Sequence, residues 1–129
     1  MSAHELRLPC RDMLEVLVSQ TLGVDSAAVV TGDGFEVAAV LREGVAGERL
    51  AAMVSSLLAL SEAVALELRM SGCRNVIVET ETGAVVTLRV PVSGHELLMS
   101  VLCSDAASLG SVLYAARDTA RALGQRLTI

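Results

Sequence analysis

The sequence predicts an α+β fold in which a five-stranded antiparallel sheet is covered by helices on both faces. Runs with helical spacing alternate with shorter strand-forming runs, in the order helix, two strands, helix, three strands, helix. Short glycine-containing turns separate neighbouring strands, and such turns join antiparallel strands. At 129 residues, the chain is long enough for one domain with a sizeable core.

Each element has its own local signal. The predicted elements, in chain order, are a helix at 11–22, strands at 26–31 and 35–41, a long helix at 47–71, strands at 75–81, 84–92 and 96–104, and a helix at 108–127. Pro9 suits the start of the first helix, Gly72 suits the end of the long helix, and Ser108 suits the cap of the last. Residues 1–10 are interpreted as an expendable N-terminal tail before a domain at 11–129.

Strand composition predicts positions within the sheet. The strand at 96–104 is apolar on both faces, which favours a central position. The strand at 26–31 is too short to stand alone and is placed inside the sheet. Pro91 cannot donate to a ladder, so it should lie near a strand end or on an edge.

The long helix at 47–71 is apolar on two opposite sides. One wide face is expected to cover the sheet, and its members are Leu50, Met53, Val54, Leu57, Leu58, Val64, Ala65 and Leu68. The far side is a stripe of mostly small residues, Ala52, Ser56, Ala59, Ala63 and Met70, with Leu66 beside it. A monomer needs only the first face, so the second predicts contact with another chain. The alternative is that surface alanines reflect helix propensity alone.

Composition excludes several classes of function. All ten basic residues are arginine and the net charge is −5, which excludes a lysine Schiff base and a P-loop lysine and disfavours nucleic-acid binding. Arg117 and Arg121 share a helix face that is interpreted as solvated. No signal-peptide pattern and no uncharged run of membrane-spanning length is present, so we expect a cytoplasmic protein without membrane insertion.

No catalytic or metal site is predicted. Cys10, Cys73 and Cys103 lack metal-ligand spacing and are interpreted as free thiols, with Cys103 in the core. No nucleophile elbow, zinc-protease helix or dinucleotide-binding glycine motif occurs. Glu79 and Glu81 share one strand face, but such carboxylates on an edge strand more often serve solubility. We therefore expect no enzyme, no cofactor and no metal.

Four segments of the chain resemble the roadblock family, the dynein-light-chain type domain found in bacteria as regulators of small GTPases. They are AAVVTGDGFEVA at 27–38, RLAAM through LLAL at 49–60, NVIVE at 75–79 followed by Gly83, and ASLGSV at 107–112. Each segment is weak alone, but their order and spacing are specific and together span nearly the whole chain. Ser108 replaces the family's commoner Asn and keeps a capping side chain.

The resemblance implies a three-layer α/β/α fold of roadblock and profilin-like type, with the long helix on one face of the sheet and the two terminal helices on the other. It also implies a homodimer that pairs through the strand at 75–81, with the long helices side by side. The predicted dimer or partner interface comprises Ala52, Ser56, Ala59, Ala63, Leu66, Met70, Asn75, Ile77, Glu79 and Glu81. The alternative is that Glu79 and Glu81 guard this edge against pairing.

Two classes of function follow from the resemblance. In the first, the dimer binds a Ras-like small GTPase and modulates its GTP hydrolysis or nucleotide state, as in the gliding-motility regulators. Candidate GTPase contacts beside Ser56 are Arg49, Glu62, Glu67 and Arg69. In the second, the protein is a scaffold or adaptor without effect on hydrolysis, or a small-ligand sensor with an apolar pocket.

Overall fold

The computed structural model describes residues 2–128, which form three helices and one five-stranded sheet. The elements are α1 (Ala3–Gln20), β1 (Val24–Thr31), β2 (Glu36–Val40), α2 (Gly47–Glu67), β3 (Asn75–Glu79), β4 (Gly83–Val90), β5 (Leu97–Ser104) and α3 (Leu109–Leu127). Ser108 caps α3 by accepting a hydrogen bond from the backbone N–H of Ser111. The predicted order of elements is confirmed.

The sheet has the strand order β2-β1-β5-β4-β3, and every neighbouring pair is antiparallel. The predictions that β5 is central and that β1 lies inside the sheet are confirmed. Pro91 lies just beyond the end of β4, as its missing N–H requires. β2 and β3 are the two edge strands.

Side chains alternate between two separate cores along the strands. On one face, Met99 and Val101 of β5 pack with α1 and α3 in the larger core. On the other face, Leu98 and Leu102 of the same strand pack under α2 in a smaller core. The predicted three-layer α/β/α arrangement is thus confirmed, with the terminal helices on one face and α2 on the other.

The first helix begins at Ala3, eight residues before the predicted start at Arg11. Ser2 and Glu5 form a reciprocal capping box at its N-terminus. Leu6 and Cys10 are buried in the larger core. The predicted start is wrong because Pro9, which suits the start of a helix, lies inside α1. Residues 3–10 are therefore part of the packed helix and not a loose tail.

The long helix ends earlier than predicted and does not use Gly72. α2 ends at Glu67, and Arg69 adopts the left-handed conformation with a φ of 56°. The N–H of Arg69 donates to the Leu66 carbonyl at 3.0 Å, and that of Met70 donates to the Ala65 carbonyl at 2.9 Å. This is a Schellman motif in which an arginine occupies the position usually held by glycine.

Candidate functional site: the outer face of α2 and the free edge of β3

The inner face of α2 is narrower than the sequence predicted. Only Leu50, Ala51, Val54 and Leu58 are buried. The prediction that Met53, Val64 and Leu68 cover the sheet is wrong, because all three are more than half exposed. The sheet beneath α2 includes small and polar side chains such as Thr87 and Ser100, whose hydroxyls lie 3.4 Å apart. Because few α2 residues contact the sheet, more of the apolar surface of this helix stays exposed.

The outer face of α2 combines small and large apolar side chains. All members of the predicted stripe are exposed, namely Ala52, Ser56, Ala59, Ala63, Leu66 and Met70. Leu66 is 78% exposed, and Met53 and Leu60 add further apolar area beside the stripe. Large exposed apolar surfaces of folded proteins often mark interaction sites, so this face is the candidate interaction surface.

Within residues 2–128, α2 is the one helix that is long and apolar enough to cross a membrane, judged by length and composition alone. In the 18-residue stretch of α2 that meets this test, 22% is buried. However, Leu50, Val54 and Leu58 pack on the sheet as part of the smaller core. The absence of membrane insertion stays a prediction.

An exposed aromatic side chain that the sequence reasoning missed lies beside this face. Phe35 is 67% exposed at the β1–β2 turn. The Ser55 hydroxyl on α2 donates to the Gly32 carbonyl at 2.6 Å, which fastens the turn to the helix. Phe35, Glu36 and Glu48 line an open groove there. The available sequence signal was that Phe35 is the one phenylalanine of the chain and directly follows the predicted turn at 32–34.

β3 has one edge without a strand partner. Its ladder to β4 runs from Asn75 opposite Leu88 to Glu79 opposite Ala84, and continues with the Thr80 N–H donating to the Gly83 carbonyl at 2.8 Å. Hydrogen-bonded pairs alternate along an antiparallel ladder, so Asn75, Ile77 and Glu79 direct their backbone N–H and C=O groups toward the free edge. An open edge of this kind is a template for strand pairing.

The side chains of β3 alternate between the two faces of the sheet. Ile77 packs against the larger core, on the same side as α3. Val76 packs against the smaller core under α2. Glu79 is exposed within the strand, and Glu81 is exposed in the turn beyond its end. A strand placed at this edge would therefore contact the β3 backbone and Glu79, while Ile77 is already packed against the core of this chain.

The other sheet edge is partly occupied. The Arg11 guanidinium on α1 donates to the Ala39 carbonyl of β2 at 3.3 Å. The Glu15 carboxylate, one turn later on α1, lies 3.1 Å from the Arg11 Nε. An arginine on an edge carbonyl hinders pairing with another strand. Of the two edges, β3 is the more open.

Three of the four predicted GTPase contacts are available on the surface. Arg49, Glu67 and Arg69 are exposed, and none has an ion pair in the part of the chain that the structure describes. Glu62 is different, because its Oε1 lies 3.2 Å from Arg89 of β4 and accepts a hydrogen bond from the Cys73 N–H at 2.9 Å. Glu62 is thus a tether within the chain, and sequence spacing could not reveal its partner Arg89.

Arg117 of α3 is bound and not simply solvated, contrary to expectation. Its Nη2 donates to the Asn75 Oδ1 at 2.8 Å. Asn75, a predicted interface residue, therefore joins α3 to the free edge. The residues are 42 positions apart in the sequence, so only the tertiary structure brings them together.

The cysteines and the two grooves beside Gly83 are the features to compare with the requirements of a metal or ligand site. Within residues 2–128, no cluster of three His, Cys, Asp or Glu is arranged to hold a metal ion. Burial raises the pKa of the Cys10 thiol from 9.0 to about 11, and Arg126 partly opposes this rise. Cys103 is buried in the core, as predicted. Two small grooves flank Gly83, with volumes of about 170 and 150 Å³.

Comparison with known proteins identifies the architecture. The sequence model of the Roadblock/LC7 domain family matches residues 11–102. No curated protein matches the chain. The resemblance inferred from the four sequence segments is confirmed by the family match.

Solved structures share the fold at low sequence identity. MglB of Myxococcus xanthus aligns with a TM-score of 0.85 at 14% identity, covering 98% of this chain and 92% of that one. A Roadblock/LC7 domain from Streptomyces avermitilis gives 0.81 at 19% identity, covering 91% and 96%. Profilin IB of Acanthamoeba castellanii gives 0.66 at 14% identity, covering 90% and 97%. The roadblock and profilin-like fold class is confirmed.

Proposed function

The chain belongs to the Roadblock/LC7 domain family, and on that premise we propose that it is a homodimeric, non-enzymatic regulator of a Ras-like small GTPase. Two subunits pair through their β3 edges, and their α2 helices lie side by side. The joined outer faces of α2 bind the GTPase and modulate its GTP hydrolysis or nucleotide state. We place this activity in the cytoplasm, without nucleic acid, membrane insertion or a cofactor.

The exposed outer face of α2 is the observation that carries this proposal. Ala52, Ser56, Ala59 and Ala63 are small enough to let another helix approach closely, and all are exposed. Burial of apolar area stabilises association by roughly 25 cal/mol per Å² before the costs of binding are counted. A lone subunit would leave this surface in water.

The proposed regulator acts on the GTPase without donating a catalytic group. GTP hydrolysis depends on ordered switch loops that position water, Mg²⁺ and an arginine. A partner that binds the ordered state more tightly shifts the population of the GTPase toward it. Arg49, Glu67 and Arg69 surround the apolar face and are free to make polar contacts. No arginine is assigned as a finger.

The test is single-turnover GTP hydrolysis by the Ras-like GTPase encoded nearest to this gene, with and without this protein. Light scattering on the same samples gives the stoichiometry. We expect a dimer that binds the GTP-loaded form and raises the hydrolysis rate or changes nucleotide exchange. A monomer that leaves both rates unchanged and does not bind the GTPase contradicts the proposal.

A scaffold is the second candidate, because the same exposed α2 face would serve it equally. It would bind the GTPase as a dimer with no change in either rate. A small-ligand sensor finds no support in the grooves beside Gly83, which measure about 170 and 150 Å³, but the open groove lined by Phe35, Glu36 and Glu48 measures about 530 Å³. Pockets for drug-sized ligands usually measure roughly 300–1,000 Å³.

A further inference from the structure

The free edge of β3 carries opposite charges at its two ends, on one face of the sheet. Arg117 lies at one end, where its guanidinium donates to the Asn75 side chain at 2.8 Å. Glu79 lies at the other end, where it lines one groove together with Ala107 and Leu109 at the start of α3. Ile77 lies between them and packs on the same side. The edge therefore presents a cation, an apolar residue and an anion in that order.

Neither charge is neutralised within the subunit. Among residues 2–128, no ion pair within 4 Å involves Arg117 or Glu79. The Arg117 contact to Asn75 is to a neutral amide. Five other arginines do have carboxylate partners, namely Arg11, Arg42, Arg89, Arg121 and Arg126. Both ends of the edge can therefore accept a partner charge without breaking an existing pair.

If two copies of β3 pair about a two-fold axis, the positive end of one edge lies opposite the negative end of the other. In an antiparallel pair of β3 strands with the two-fold axis at Ile77, residues equally far before and after position 77 lie opposite each other. Residue 75 of one subunit therefore lies opposite residue 79 of the other. Directly opposite side chains have Cβ atoms roughly 4.5–5.5 Å apart and point to the same face. The Glu79 carboxylate then meets the Arg117 guanidinium that Asn75 holds in the second copy, and the contact occurs twice.

Other registers of the β3 pair bring less favourable combinations of side chains together. An axis at Glu79 sets two carboxylates opposite each other, which is destabilising. An axis at Val78 sets Ile77 opposite Glu79, an apolar side chain against a charge. The axis at Ile77 pairs all five residues of β3 and sets the two isoleucines together. Charge and apolar pairing therefore favour the same register.

We propose that Arg117 of one subunit and Glu79 of a second copy form a reciprocal ion pair that fixes the dimer register about Ile77. This rests on the proposed homodimer and adds the residues that determine its register. Arg117 is then an interface residue, although it lies on α3. Tyr114, which is 75% exposed, precedes it by three residues and so lies on the same side of α3. Glu79 attracts a second copy under this proposal and does not guard the edge.

Complementation between two charge-reversed variants tests the proposal on the full chain. In a Glu79→Arg homodimer two arginines meet at each contact, and in an Arg117→Glu homodimer two carboxylates meet. Analytical ultracentrifugation should show the dimer dissociation constant raised about tenfold or more in each variant alone. In a one-to-one mixture, each contact of the heterodimer joins opposite charges. The mixture should dimerise to within about threefold of the wild-type chain.

Matched controls separate register from net charge and folding. Glu43→Arg, in the exposed loop before α2, and Arg7→Glu, at an exposed position of α1, make the same charge changes away from β3. Both should dimerise like the wild-type chain, and circular dichroism should show all variants folded. A folded Glu79→Arg or Arg117→Glu variant that dimerises normally overturns the ion pair and leaves the homodimer standing. Failure of the mixture to recover also overturns it. A monomeric wild-type chain overturns the homodimer itself, and this proposal with it.

Discussion

The Glu62 carboxylate on α2 accepts a hydrogen bond from the backbone N–H of Cys73, at 2.9 Å, in the loop that leads into β3. The same oxygen lies 3.2 Å from the Arg89 guanidinium on β4. One side chain thus connects the two parts of the proposed interface, the long helix and the free edge. Its position explains why Glu62 is half-buried while the neighbouring Ala63 is exposed.

Replacing Glu62 with Ala should loosen the start of β3. Loss of the hydrogen bond and the Arg89 pair should lower the free energy of unfolding by about 1–2 kcal/mol, a range reduced for solvent screening. Urea unfolding measures this change, and hydrogen exchange should show faster exchange of the Cys73 amide. Glu62→Gln, which keeps an acceptor oxygen, should retain more protection. Unchanged exchange in the Ala variant would contradict the tether.

Ala59→Glu should weaken the dimer, because it places a charge in the small-residue stripe of α2 where a partner helix would approach. Burying an unpaired charge is strongly unfavourable, so we expect the variant to be monomeric at concentrations where the wild-type chain is dimeric. Light scattering measures the mass. Ser19→Glu adds the same charge to an exposed position on α1 and should leave the mass unchanged. If both variants keep the wild-type mass, the interface lies elsewhere.

Arg69→Gly should stabilise the fold. The φ of 56° at Arg69 is left-handed, and that conformation costs roughly 1–2 kcal/mol in an L-residue with a side chain. Glycine adopts it freely but loses more entropy on folding, so the net gain should be about 1 kcal/mol. Thermal and urea unfolding provide the measurement. Arg69→Ala keeps the strain and should bring no such gain; equal stabilisation by both substitutions would point to the arginine side chain instead.

Stability should fall between about pH 9 and 11 because of Cys10. Burial raises the pKa of this thiol from 9.0 to about 11 in the folded chain. The folded state therefore holds its proton over a range in which the unfolded chain has lost it. The stabilisation is complete below pH 9 and is lost as the pH rises toward 11, by roughly 2 kcal/mol.

Urea unfolding at pH 8, 9, 10 and 11 would measure this loss, with Cys10→Ala as the reference. The Ala variant should be less stable at pH 8, because it leaves a small cavity beside Leu6 and Leu14 in the core. Its stability should decline less steeply with pH than that of the wild-type chain. Parallel declines in the two proteins would show that Cys10 does not titrate as described.

Much of the fold could be predicted from residue patterns, because those patterns are local. The nearly continuous apolar run of β5 and the turn signal at residues 32–34 placed the strands within a few residues of their observed bounds. Helix ends were less predictable. Pro9 lies inside α1 and Arg69 replaces glycine at the end of α2, so the residues that usually mark boundaries did not mark them here.

The sequence by itself determined the order of the elements, the two-sided apolar character of α2 and the family of the chain, because spacing along one segment fixes which side chains share a face. Only the tertiary structure decided which of those faces is buried. The sheet beneath α2 accommodates Leu50, Val54 and Leu58 and leaves Met53 exposed. It also placed Arg117 against Asn75 and Glu62 against Cys73. Such pairs are far apart in the chain, and their contacts exist only once the layers have packed.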